Sequence, residues 1–172
     1  LQELGVGDLR VIVHDDLPDY KLQSLLALGI DRDDIFTWSE IDGTQLDRLI
    51  VVTNVDRQAP WYAKDLVRPS VFRSLASRLV QANPRMPERR GVKLYVKRGL
   101  GTRRQVTNES EICDFLITEG FQAVDPGTMN YWEQVSIFAS ASKVVAAHGG
   151  ALTNLLFSER PNLLEFTPEG HG

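Results

Sequence analysis

The sequence predicts an α/β protein built on a Rossmann-like parallel sheet. Three observations carry the prediction. Short apolar runs are bounded by turn residues, segments of helical periodicity lie between them, and the 42% hydrophobic fraction of this 172-residue chain is enough for a packed core. Strand and helix in alternation are the signature of βαβ units, which need a parallel sheet.

The elements follow in order. Leu9 to His14 reads as a buried strand, and Pro18 to Leu28 as a helix with Leu22, Leu25 and Leu26 on one face and Gly29 as its stop. Ile35 to Trp38 and Asp47 to Thr53 are two further strands. Asn54 to Pro69 lacks periodicity and carries Asn, Asp and Pro, as a connection would. A helix resumes from Val71 to Ala82 with Pro69 near its start, and Pro84 to Gly91 is a polar loop. Strand Val92 to Lys97 leads into a Gly- and Arg-rich loop, Arg98 to Gln105. The next helix opens at Thr107 or Asn108. There Asn108 and Glu111 match a capping box, Ile112, Phe115 and Leu116 form the buried face, and Gly120 is the stop. Strand Phe121 to Val124, helix Asn130 to Ala141 with Tyr131, Val135 and Phe138 on one stripe, strand Lys143 to Ala147, two glycines with a short helix, and strand Asn162 to Phe166 complete the order.

Charge narrows the function. Nineteen Lys and Arg against 23 Asp and Glu leave a net charge of −4, so no broad positive field exists to hold nucleic acid. No apolar run approaches the roughly 20 residues that span a bilayer. Leu1 is not an initiator methionine and the chain stops soon after a strand, so a fragment of a longer protein is expected. The single cysteine, Cys113, reads as a small buried hydrophobe.

Parallel α/β sheets hold ligands beyond the carboxyl ends of their strands. After Val144 to Ala147 come His148, Gly149 and Gly150, then a helix start carrying Thr153 and Asn154. Glycines that let a ligand approach the backbone, exposed N–H groups and a helix dipole together favour a phosphate. An equally open reading makes the glycines a tight turn and His148 a hydrogen-bonded structural residue. Lys97, Arg98, Arg103 and Arg104 crowd after the Val92 strand, where guanidinium groups suit phosphate oxygens or form a solvated loop. Glu165 closes the last strand and can accept hydrogen bonds from ribose hydroxyls. His14, Asp15 and Asp16 follow the first strand as a fourth set; His14 or Asp15 could act as a base, as could His148, or the two aspartates could cap the next helix. No Walker loop, dinucleotide Gly-x-Gly-x-x-Gly, serine-hydrolase elbow or zinc-spaced Cys/His set is present, and neither a metal nor a cofactor is expected.

Tyr95-Val96-Lys97-Arg98, Arg103-Arg104, Asn108-Glu109, Gly120-Phe121, Glu133-Gln134, His148 to Asn154 and Glu165 resemble, in order and spacing, glycosyltransferase family 61. The family includes bacterial capsular polysaccharide biosynthesis proteins. The resemblance implies an inverting, metal-independent transferase of two Rossmann-like lobes (a GT-B arrangement) that moves a sugar from a UDP-sugar to a polysaccharide or glycan acceptor. It carries a donor-binding role to Arg98, Arg104, Asn108, Glu109, His148, Gly149, Gly150, Thr153 and Asn154. Where the family has Gly-Ala/Ser-Gly after the histidine, this chain has Gly149-Gly150-Ala151. The family's upstream His-Trp motif and final helix region are missing from the sequence, so a catalytic residue lying there is unassigned. On this reading residues 1–54 are part of an N-terminal lobe, 55–69 a connection and 70–172 a truncated C-terminal donor lobe. The expected location is the cytoplasm, with membrane association open. The rival expectations are a non-catalytic Rossmann-like module that binds a nucleotide or phosphosugar, and a purely structural assembly domain.

Overall fold

A computed structural model of the chain describes residues 10–50, 69–84, 91–98 and 106–167. It divides into two compact units, Leu1–Leu75 and Ala76–Gly172.

In the first unit β1 (Val11–Val13) and β2 (Ile35–Thr37) pair in parallel, Val11 opposite Ile35, with α1 (Asp19–Ala27) as the crossover. Gly29 takes φ +86°, the left-handed conformation that ends a helix at least cost to glycine. Two expectations need correction. Leu26 is exposed, so the inward face of α1 is narrower than three leucines. Asp47 to Ile50 is not a strand: its side chains are exposed and no partner strand runs beside it among the described residues, while Val51 to Thr53 lies outside them. The connection from Asn54 also lies outside, up to the start of α2 (Pro69–Ala82).

The second unit holds β3 (Val92–Val96), α3 (Glu109–Thr118), β4 (Gln122–Val124), α4 (Tyr131–Ala139), β5 (Ala141–Ala147), a 3₁₀ segment over Gly150–Phe157 and β6 (Asn162–Phe166). All four strands are parallel in the order β4-β3-β5-β6. The chain therefore leaves β3 toward β4, then crosses back over β3 to lay down β5 and β6. The reversal opens between β3 and β5, the place where such sheets bind ligands.

The sheet is covered on two faces because successive strand residues point to opposite sides. Leu94, Val96, Val144 and Ala146 face one side, where they pack with Phe138 of α4 and with Leu152, Leu155 and Phe157 of the 3₁₀ segment. Tyr95 and Val145 face the other, against Ile112, Cys113 and Leu116 of α3. Central strands buried on both faces read as unbroken apolar runs.

The capping box sits elsewhere than predicted. Asn108 precedes α3 with φ −114° and ψ 40° and makes no side-chain cap bond, since it lacks the extended backbone that aims a cap at the helix N–H groups. Asn130 has that backbone: its side chain accepts from Glu133 N at 3.0 Å, and Glu133 Oε2 accepts from Asn130 N at 2.9 Å. Phe115 is also corrected. It is 62% exposed, and Cys113 takes the inward place beside Leu116. Among the described residues no helix is long and apolar enough to cross a membrane.

Candidate functional site

The site grows from the ends of three adjacent strands, β3, β5 and β6. At β3, Arg98 N donates to Glu109 Oε1 at 2.8 Å, and Tyr95 Oη donates to the same oxygen at 3.3 Å. Burial, with the Glu109 carboxylate adding to it, pushes the Tyr95 hydroxyl up to about 12, so it stays protonated and can go on donating. Glu109 thus ties the first turn of α3 to the end of β3.

From β3 the Arg98 side chain crosses to the end of β5. Its Nη1 donates to the His148 carbonyl, and its guanidinium lies on Gly149. A Cβ at Gly149 would overlap Nη1 and stand 3.0 Å from Cζ. The Gly149 backbone is extended, at φ 168°, so the glycine answers a need for space. That space is taken by an arginine of the same chain, whereas a Cβ at Gly150 would meet open space. Arg98 Nε is buried without a hydrogen-bond partner among the described residues.

Beyond β5, His148 N donates to Phe166 O at 2.8 Å, extending the ladder with β6. His148 Nδ1 lies 2.6 Å from Glu165 Oε1, with the two side chains 50% and 29% exposed. His148 is therefore hydrogen-bonded within the fold, as the structural reading required, and still half open to solvent. The 3₁₀ segment follows, with Leu152 N donating to Gly149 O at 3.0 Å.

Five of the sequence-predicted residues, Arg98, Glu109, His148, Gly149 and Glu165, form one connected cluster, with Gly150 next to it. The rest separate. Thr153 is exposed on the 3₁₀ segment. Asn154 Nδ2 donates to Gln134 Oε1 at 2.9 Å, and Gln134 Nε2 in turn donates to Pro126 O and Met129 O, so Asn154 pins its segment to α4. Asn108 is exposed, and Arg104 lies outside the described residues. Sequence reasoning missed the roles of Tyr95 and Gln134; a polar head on a strand or helix position facing the core was the available signal.

In the first unit, Asp15 and Asp16 do not cap α1, whose N-cap Pro18 receives no side-chain bond. Asp15 Oδ1 accepts from Ser39 N at 3.0 Å, and Asp16 N donates to His14 Nδ1 at 3.3 Å. Glu40 Oε2 accepts from Thr37 N at 2.7 Å. The Ser39 backbone bond holds Asp15 below its usual 3.8, and the Thr37 backbone bond holds Glu40 below its usual 4.5. Lowered carboxylates stabilise above their ordinary range and lose that stabilisation as pH falls through the lowered values. Acid titration followed by Trp38 fluorescence should show loosening of this unit below about pH 4, flattened in Asp15→Asn/Glu40→Gln. An unchanged acid limb in the double variant would exclude these bonds as its source.

Sequence reasoning disfavoured a metal for want of an Asp-x-Asp triplet, and that needs correction: Asp31-Arg32-Asp33 is such a triplet, of a spacing that can hold a metal ion through its carboxylates. Asp31 and Asp33 are exposed at the turn before β2, and among the described residues no three His, Cys, Asp or Glu side chains gather as a metal site. In the second unit an open hollow of about 280 Å³ lies on the α3 side of the β3 end, lined by Lys97, Glu109, Ser110, Cys113 and Asp114; it meets the strand-end cluster at Glu109.

Fold and cluster together define a parallel α/β protein with a guanidinium, an imidazole and carboxylates at the sheet's switch point. The chain matches the family described as Glycosyltransferase 61 over residues 12–163 and belongs to that family. It is a glycosyltransferase. No curated protein matches the chain.

Gly149→Ala is expected to cost little stability, because the end of the Arg98 side chain can move, at about 1 kcal/mol for its lost hydrogen bond. It should weaken nucleotide binding in calorimetric titration by displacing Arg98. Wild-type affinity in this variant would mean that Arg98 need not sit on Gly149.

Proposed function

We propose that the protein is an inverting, metal-independent transferase that moves a sugar from a UDP-sugar to a polysaccharide or glycan acceptor in capsular or exopolysaccharide synthesis. On this reading residues 1–54 are part of the N-terminal lobe of a GT-B enzyme, 55–69 the connection and 70–172 the donor lobe. The observation that carries the proposal is the convergence of Arg98, His148 and the glycine turn between β3 and β5, within a member of a glycosyltransferase family.

An inverting transfer needs a base for the acceptor hydroxyl and groups that hold the departing diphosphate. The second need is met by Arg98, by His148 and by backbone N–H groups at the start of the 3₁₀ segment, with Gly150 leaving the backbone open to approach. Thr153 adds an exposed hydroxyl. Asn154, Asn108, Glu109 and Arg104 enter this proposal as the surroundings of the donor, with His14 and Asp15 as candidates for the base.

A thermal-shift screen against UDP, GDP, CMP and dTDP should select UDP, and UDP release from a panel of UDP-sugars should persist in the presence of a chelator. Selection of another nucleotide would refute the donor assignment, and loss of turnover on chelation would refute metal independence. One observation favours a second reading, a binding module without transfer. The Arg98 guanidinium is already engaged by the His148 carbonyl and seated on Gly149, which makes it in part a support for the turn. UDP binding without UDP release from any donor would select that reading.

A further inference from the structure

We propose that Glu165 is a positioning residue for His148: its carboxylate holds the Nδ1 proton, so Nε2 is the ring atom offered to the donor diphosphate. The proposal rests on the donor-site reading above and gives Glu165 a role other than holding a ribose.

The geometry is short and direct. His148 Nδ1 and Glu165 Oε1 stand 2.6 Å apart, and an ionised carboxylate can only accept, so the proton between them belongs to Nδ1. The backbone fixes the pair. Ala147 is opposite Phe166 in the β5–β6 ladder, and His148 N donates to Phe166 O, so strand pairing brings the imidazole beside the carboxylate. A neutral ring held in this way presents a lone pair at Nε2, which repels a phosphate oxygen. Only the imidazolium donates there, and a carboxylate on Nδ1 both orients the ring and offsets its charge.

The charged groups around the ring act in opposite directions. Arg98, from β3, places its guanidinium against the His148 carbonyl and opposes a second positive charge. Glu109, from α3, accepts from Arg98 N on the far side. Among the described residues Glu165 is the carboxylate in contact with the imidazole. Arriving diphosphate adds negative charge on the Nε2 side, so the imidazolium would lie between two anionic groups with Arg98 alongside.

Inorganic pyrophosphate separates this role from ribose binding, because it has no ribose. Calorimetric titration of the intact chain with UDP and with pyrophosphate should show Glu165→Gln weakening both by a similar factor, about tenfold, the scale of losing a partner that orients a histidine. The same change in a His148→Ala background should have little further effect, as expected when one residue acts through the other. Nitrogen-15 spectra should show the Nδ1–H form at His148 in the wild type and its loss in Glu165→Ala, a signature that general destabilisation would not produce. Weakened UDP binding with unchanged pyrophosphate binding would assign Glu165 to the ribose and overturn the proposal, as would a full effect in the His148→Ala background. Unchanged affinities in Glu165→Gln would overturn it alone, leaving the donor site standing. A wild type that binds neither ligand would overturn the donor-site reading and this proposal with it.

Discussion

Phe138→Ala is expected to remove about 3–5 kcal/mol of stability from the second unit, the usual cost of deleting a fully buried aromatic ring. The ring is 0% exposed and sits among Leu94, Val96, Val144 and Ala146, on the face that α4 and the 3₁₀ segment cover. A cavity there could not collapse easily, since the strands around it are held in register on both sides. Ser158 Oγ also donates to the Phe138 carbonyl at 2.7 Å, so the ring lies where α4 meets the end of the 3₁₀ segment. Urea denaturation reports the result directly: an unfolding free energy within about 1 kcal/mol of wild type would show that this face does not carry the fold.

Arg98→Ala separates function from stability. Loss of one charge-assisted hydrogen bond is worth about 1.5–3 kcal/mol, so UDP affinity should fall between about tenfold and 150-fold. Stability should change much less. Arg98 contributes one bond to the His148 carbonyl but leaves Nε buried and unpartnered among the described residues, and removing an unsatisfied donor offsets much of what the lost bond costs. Arg98→Lys should not restore binding, because a compact ammonium lacks the planar fork whose separated N–H groups can reach the carbonyl and a phosphate oxygen together. Titration with UDP and a thermal melt of each variant decide it. Wild-type affinity in Arg98→Ala would remove the guanidinium from the donor site and leave it as a support for the Gly149 turn.

Both variants act through contacts that differ in how visible they were. The stripe of Val135 and Phe138 on α4 was legible, because residues three apart on a helix share a face and both are apolar. Phe115 on α3 was misread by the same rule, which cannot say how far around the helix the sheet reaches. The capping signature occurs at both Asn108 and Asn130, yet only Asn130 has the backbone conformation to use it.

Sequence alone determined the α/β class, the limits of most elements in the second unit and the family, because these depend on periods and motifs contained in short windows of chain. Tertiary structure decided which groups the site residues touch. Arg98 and His148 are 50 positions apart, and His148 and Glu165 are 17 apart; they meet because the strand order sets β5 between β3 and β6. The space left at Gly149 therefore serves a distant arginine, and Glu165 is turned to a histidine, since contacts of that span follow from which strands lie side by side, and no local period records that order.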